Sequence, residues 1–171
     1  MNEQELEQKL IAAYDTMMAR IDKLIDSAEQ QALPVLQKNI EKAKKQAIEL
    51  KEVSQEEAEK LGDYLRRDIH DAANYLQQSG KEFSTWFNFD LELIEDRALE
   101  IFSKVADKTR LELAQLADQA KRSSEYKTGE ITSIGTLACQ QCGTVMHFKK
   151  TSRIPPCPKC HKTTFTRSNN S

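Results

Sequence analysis

Glycine and proline are scarce in this chain of 171 residues, five of one and four of the other, and they are unevenly placed. Gly129, Gly135 and Gly143, with Pro155, Pro156 and Pro158, all lie beyond residue 128. Residues 1–128 thus hold few of the breakers that punctuate turns, which predicts an almost wholly helical body and a turn-rich C-terminal part. Asp and Glu are missing altogether from 131–171, where six basic residues stand. The remainder carries a formal −8, so an acidic body bears a basic head. No apolar run approaches the ~18 residues of a membrane-spanning helix. Met1-Asn-Glu-Gln-Glu-Leu-Glu carries acid where an export signal carries base, so a cytoplasmic location is expected. Histidine is limited to His70, His147 and His161, scattered and read as structural or surface residues, and no glycine loop is present to cradle phosphate. With carboxylates set among lysines on helix faces, these gaps argue against an enzyme and leave no small-molecule substrate in view.

Cysteine is also rare, but all four copies fall into one pattern: Cys139-Gln-Gln-Cys142 and Cys157-Pro-Lys-Cys160. Each Cys-x-x-Cys pair can turn two thiolates toward one point, and two pairs complete a tetrahedron around Zn²⁺. A closed four-sulfur set suits one structural ion better than catalytic zinc, which keeps an open position. Disulfides would need an oxidising compartment, and a thioredoxin-like site would need a βαβ context that the chain lacks. Oxidation that ejects the metal remains a minor alternative. The residue after each second cysteine usually takes an unusual backbone conformation, which Gly143 adopts freely and His161 at some cost. A segment this small needs a metal to fold.

The body is expected to be a long helical hairpin or a small bundle, with coiled-coil pairing open to one seam. Leu6, Leu10, Ala13 or Tyr14, Met17, Ile21, Leu24 and Ala28 recur at helical steps. Pro34 belongs in the first turn of a second helix, with a bend at 29–33. Leu33, Leu36, Ile40, Ala43, Ala47 and Leu50 form a heptad seam suited to dimerisation. Ser54-Gln-Glu-Glu57 reads as a capping box, yet the apolar pattern can continue through a stutter to Ala58, Leu61, Leu65, Ile69 and Ala72, and one continuous helix is favoured. Phe83, Trp86, Phe87 and Phe89 form either a buried plug at a turn or an exposed docking patch. A last helix runs from Leu91 through Leu116 to Lys121-Arg122. The expected organisation is a helical domain over 1–122, a linker over 123–133 and a small β ribbon over 134–171, its last residues frayed.

The C-terminal segment resembles a rubredoxin-type zinc ribbon, in which Cys-Pro-x-Cys-Gly occurs twice; Gln140 and His161 depart from that pattern. With its helical part, the chain resembles the YbeL-like bacterial zinc-ribbon proteins. That resemblance implies zinc binding through Cys139, Cys142, Cys157 and Cys160 and carries no reaction with it. The leading expectation is a non-catalytic interaction or adaptor protein whose helices bind a protein partner or self-associate. The alternative is RNA or DNA binding by the ribbon, with Lys149, Lys150, Arg153, Lys159, Lys162 and Arg167 meeting phosphates and Phe148 and Phe165 stacking on bases.

Overall fold

The computed structural model of the protein describes residues 2–27, 35–79, 96–115 and 125–167. Among these residues four helices come first: α1 (Glu3–Ser27), α2 (Val35–Glu49), α3 (Gln55–Ser79) and α4 (Asp96–Gln115). Their apolar stripes meet in one core that includes Tyr14, Met17 and Ile21 of α1, Ile40 and Ala43 of α2, Leu61, Leu65 and Ile69 of α3, and Phe102 and Val105 of α4. The architecture is a helical bundle, as the periodicities require. The aromatic cluster Phe83–Phe89, the bend at 29–33 and the Lys121-Arg122 terminus lie outside the described residues.

The expected continuous helix over 33–80 is two helices. Helix α2 closes with a Schellman turn: the Glu52 N–H donates to Ala47 O at 3.0 Å, the Lys51 N–H to Ile48 O at 3.0 Å, and Lys51 takes φ 58°. Three residues on, the capping box starts α3. Ser54 N–H donates to Glu57 Oε1 at 2.8 Å, and Glu57 N–H to Ser54 Oγ at 3.1 Å. Arg20 clamps the corner, gripping the Glu52 carboxylate with two 2.6 Å bonds. The caps pair two otherwise orphaned backbone groups on each side of the break, so it outcompetes a stutter that only the apolar pattern supports. The seam is likewise spent internally. Leu36, Ile40, Ala43 and Ala47 are buried against the chain's own helices, and of the seam's described residues only Leu50, 63% exposed, is left at its end; Leu33 lies outside the described residues. Gly62 lies beneath the Lys44 stem where α2 meets α3, and a Cβ there would come within 2.6 Å of Lys44 Cδ. The Lys44 ammonium reaches Glu41 at 3.0 Å and Glu59 at 2.8 Å.

The β part begins earlier than the composition suggests. Residues 123–133, expected to be a linker, contain β1 (Glu125–Lys127) and β2 (Ile131–Thr132). These are followed by β3 (Gly135–Cys139), β4 (Val145–Phe148), β5 (Ser152–Arg153) and β6 (Thr164–Arg167). A four-stranded antiparallel sheet runs β1-β6-β3-β4, and β2 pairs with β5 in a second ladder. Tyr126, Leu137, Phe148, Ile154 and Phe165 form its small core together with Cys139 and Cys157. Ile131 and Ile134 belong instead to the helical core, so the second ladder is inserted into the body.

Lys51 is the one non-glycine residue outside the ribbon with a left-handed backbone among those described. A left-handed L-residue costs roughly 1–2 kcal/mol, and glycine returns part of this through its freer unfolded state. Lys51→Gly should therefore stabilise the protein by about 0.5–1 kcal/mol, read as a rise in urea midpoint at constant slope. An unchanged or lower midpoint would show that this cap is not under strain.

Candidate metal centre

The two Cys-x-x-Cys pairs sit on turns of matching construction. In the first, at the β3–β4 connection, the Gly143 N–H donates to Cys139 O at 2.9 Å and the Cys139 N–H to Thr144 O at 2.9 Å. In the second, before β6, the His161 N–H donates to Cys157 O at 3.0 Å and the Cys157 N–H to Lys162 O at 2.9 Å. Gly143 has φ 78° and His161 φ 64°, the left-handed conformation expected of both. His161 is therefore a turn residue, exposed and facing away from the core.

These turns bring four sulfurs to one place. All four Sγ atoms lie within 4.8 Å of one another, Cys139 and Cys160 at 3.5 Å and Cys142 and Cys157 at 3.6 Å. None is in a disulfide, whose sulfurs would stand about 2.05 Å apart. A tetrahedron with Zn–S bonds of about 2.3 Å has edges of about 3.8 Å, close to both spacings. The residues thus fit the ion in number, chemistry and spacing. The thiols differ as acids: hydrogen bonds from the Thr144 hydroxyl and backbone pull Cys142 down to about 6. Cys160 feels a downward pull from the Lys162 backbone, but burial and three neighbouring sulfurs push it up to about 12. Four thiolates this close repel one another, and a divalent cation among them removes that penalty.

A second cluster joins ribbon to body, and it was not anticipated from sequence. The Asp68 carboxylate of α3 is fully buried. Tyr14 of α1 donates to it at 2.5 Å, the Ser133 N–H at 3.0 Å, Arg167 Nη2 at 3.1 Å, Arg67 Nε at 3.2 Å and Thr132 Oγ1 at 3.3 Å. Arg67 also reaches across to Glu130 at 2.6 Å and to Ile131 O at 2.9 Å. The Tyr126 ring lies against both guanidinium groups, 4.0 Å from Arg67 and 4.6 Å from Arg167, and its hydroxyl donates to Asp71. Burial, with Asp68 next, holds the Tyr14 hydroxyl well above the usual phenol range; burial likewise holds Tyr126 protonated. Burial opposes the charge on Arg67 and Arg167, but the acids and tyrosines around them prevail and keep both cationic.

The six basic residues proposed to meet phosphate do not form one surface. Arg167 is buried in this junction, its side chain 3% exposed. Arg153 bonds to Glu3 at 2.9 Å and lies 3.9 Å from Glu7. Lys149, Lys150, Lys159 and Lys162 are exposed. Phe148 and Phe165 are buried in the ribbon core and offer no stacking platform. His147 pairs with Thr136 at 2.9 Å, and His70 is half-buried on α3, its pKa lowered by burial and by Arg66.

A small antiparallel sheet presenting four thiols from two matched turns, carried on a helical bundle, defines a zinc-ribbon protein. The chain belongs to the family described as zinc-ribbon containing domain, which matches residues 23–169. It is similar to the uncharacterized protein YbeL of Escherichia coli strains K12, O6:H1 and O157:H7, at 26% identity over 103 residues in each. That match covers 60% of this chain and 63% of each relative, so the chain spans less than two thirds of the length of these curated relatives. No solved structure matches it. No helix among the described residues is long and apolar enough to cross a membrane.

Since Cys160 holds its proton through neutral pH whereas Cys142 does not, zinc binding must displace at least the Cys160 proton. Affinity should rise from pH 6 to pH 8 by about tenfold per unit for each proton released. Competition against a chromophoric chelator measures this, and an affinity flat across that range would contradict the ordering of the thiols.

Proposed function

We propose that the protein is a non-catalytic zinc-binding adaptor of the bacterial cytoplasm, with one structural Zn²⁺ held by Cys139, Cys142, Cys157 and Cys160. The closed sulfur quartet carries this reading, because its four ligands leave no position for substrate. Structural zinc contributes roughly 10–16 kcal/mol in small peptides, enough to order a ribbon whose own core is a handful of side chains. The partner surface that fits best is a groove of about 650 Å³ where α1, α3 and the ribbon meet. Leu6, Leu10, Leu61 and Ile131 line it, with Glu3 and Glu56 among its polar residues. Leu6 is 39% exposed there.

Nucleic-acid binding is the second reading, favoured by the ribbon's exposed Lys149, Lys150, Lys159 and Lys162. It is the weaker one: Arg153 and Arg167 are engaged by the acidic body, and the ribbon's two phenylalanines are buried. Metal analysis should find one zinc per chain. A pull-down from bacterial lysate should retain a protein partner after nuclease treatment, and retain it equally when Lys149, Lys150, Lys159 and Lys162 are changed to Gln. A partner set that vanishes with nuclease, together with steeply salt-dependent RNA or DNA binding lost in the lysine variant, would replace the adaptor reading with the second.

A further inference from the structure

We propose that the helix–ribbon junction is a metal-controlled latch: the ribbon docks on Asp68 only while the cysteine site is loaded, and metal loss releases it and dismantles the groove. The inference rests on the structural-zinc reading above and adds a consequence for the helical body.

The coupling runs through strand register. Phe165 of β6 is paired on one side with Cys139 of β3 and on the other with Tyr126 of β1. The Gln140 N–H, one residue past the first cysteine, donates to Thr164 O at 3.1 Å. Arg167 ends β6 two residues beyond Phe165 and is paired with Leu137. The side chains that reach Asp68 and Asp71 from the sheet, Arg167 and Tyr126, are thus set by strands whose alignment passes through the sulfur cluster. With the ligands apart, nothing comparable fixes β3 against β6, since the ribbon core is small and includes two of the cysteines.

The junction is also of a kind that can open. Three of the five donors to Asp68 come from the ribbon: Ser133, Arg167 and Thr132. Arg67 directs two bonds to Glu130 and Ile131. Buried ionic networks roughly break even against hydration, so they hold well only when the partner arrives already ordered. Ordering costs conformational entropy at every residue, which a loaded ribbon has already met and an unloaded one must meet on docking. When the ribbon leaves, Asp68, Asp71 and Arg67 can be hydrated together. Ile131 and Ile134 leave the helical core, and the groove loses the wall made by Gly129, Ile131 and Arg153.

Hydrogen exchange on the full chain tests this, comparing zinc-loaded protein with protein stripped by a chelator. Stripping should raise exchange of α3 amides from Leu65 to Ala72 at least tenfold. Arg167→Gln and the milder Tyr126→Phe should raise the same amides while zinc stays at one per chain and the cobalt-substituted form keeps its thiolate absorption. Unchanged α3 protection on stripping overturns the latch, and so does unchanged protection in both variants. Purified protein lacking bound zinc overturns the structural-zinc reading itself, which the metal measurement reports separately.

Discussion

A carboxylate with no access to water fixes how the two halves of this molecule fit together. Asp68 lies on the inner stripe of α3, and an ionised group in such a place is tolerated only when its oxygens are fully engaged. The helical body supplies Tyr14 and Arg67, which leaves the carboxylate only partly satisfied. The rest comes from the ribbon, through a backbone N–H, a threonine hydroxyl and an arginine. Removing one partner from such an arrangement costs several kcal/mol, far more than any one exposed pair such as Lys60–Glu56 contributes. The position of the ribbon is therefore dictated by the charge it must cover. Ile131 and Ile134 add apolar burial to a contact whose geometry is electrostatic.

The sulfur quartet is the other place where like or uncompensated charge is concentrated, and the two resemble each other in logic. Each gathers groups that would be unfavourable alone and becomes stable once a partner of opposite charge is present. At Asp68 that partner is built into the chain. At the cysteines the partner that fits is a divalent cation, which four sulfurs within 4.8 Å of one another suit. Strand β6 connects the two sites, with one end just past the second turn and the other at Arg167. In the latch proposed above, a change at one site reaches the other through the four residues of that strand.

Much of this was legible in the residues. The Cys-x-x-Cys pairs, the left-handed positions at Gly143 and His161, and the apolar stripes of α1 and α3 follow from spacing alone, because local geometry determines them. The break between α2 and α3 is marked by the Ser54–Glu57 capping box, but the apolar pattern that runs on through it masks that signal. The Schellman turn at Lys51 carried no glycine to announce it. The strands at Glu125–Lys127 and Ile131–Thr132 were hidden because each is short and pairs with residues far along the chain. The junction left a trace that can be recognised: Ala58, Leu61, Leu65, Asp68 and Ala72 step by three and four, which places an acid on the buried seam. Arg167 stands two residues after Phe165, on the same face of its strand. A charge at a core position in each half is the signal of a pair, though sequence alone does not say which charge meets which.

The same pairing changes what the charge asymmetry means. Six basic residues over the acid-free stretch 131–171 suggest a surface for phosphates when they are counted in sequence. In the fold, two of the six face inward or sideways to Asp68, Glu3 and Glu7, so part of the body's acidity and part of the ribbon's basicity neutralise each other within the chain. Of the six, four lysines remain outside, Lys149 and Lys150 between β4 and β5 and Lys159 and Lys162 at the second cysteine turn, beside an excess of acid on the helices. An anionic polymer approaching those lysines would also meet the field of the body beside them, with no exposed aromatic from the ribbon core to compensate. The opposite charges of the two halves are thus accounted for first by their attachment to each other, and a partner for this protein is better sought at the groove they form together.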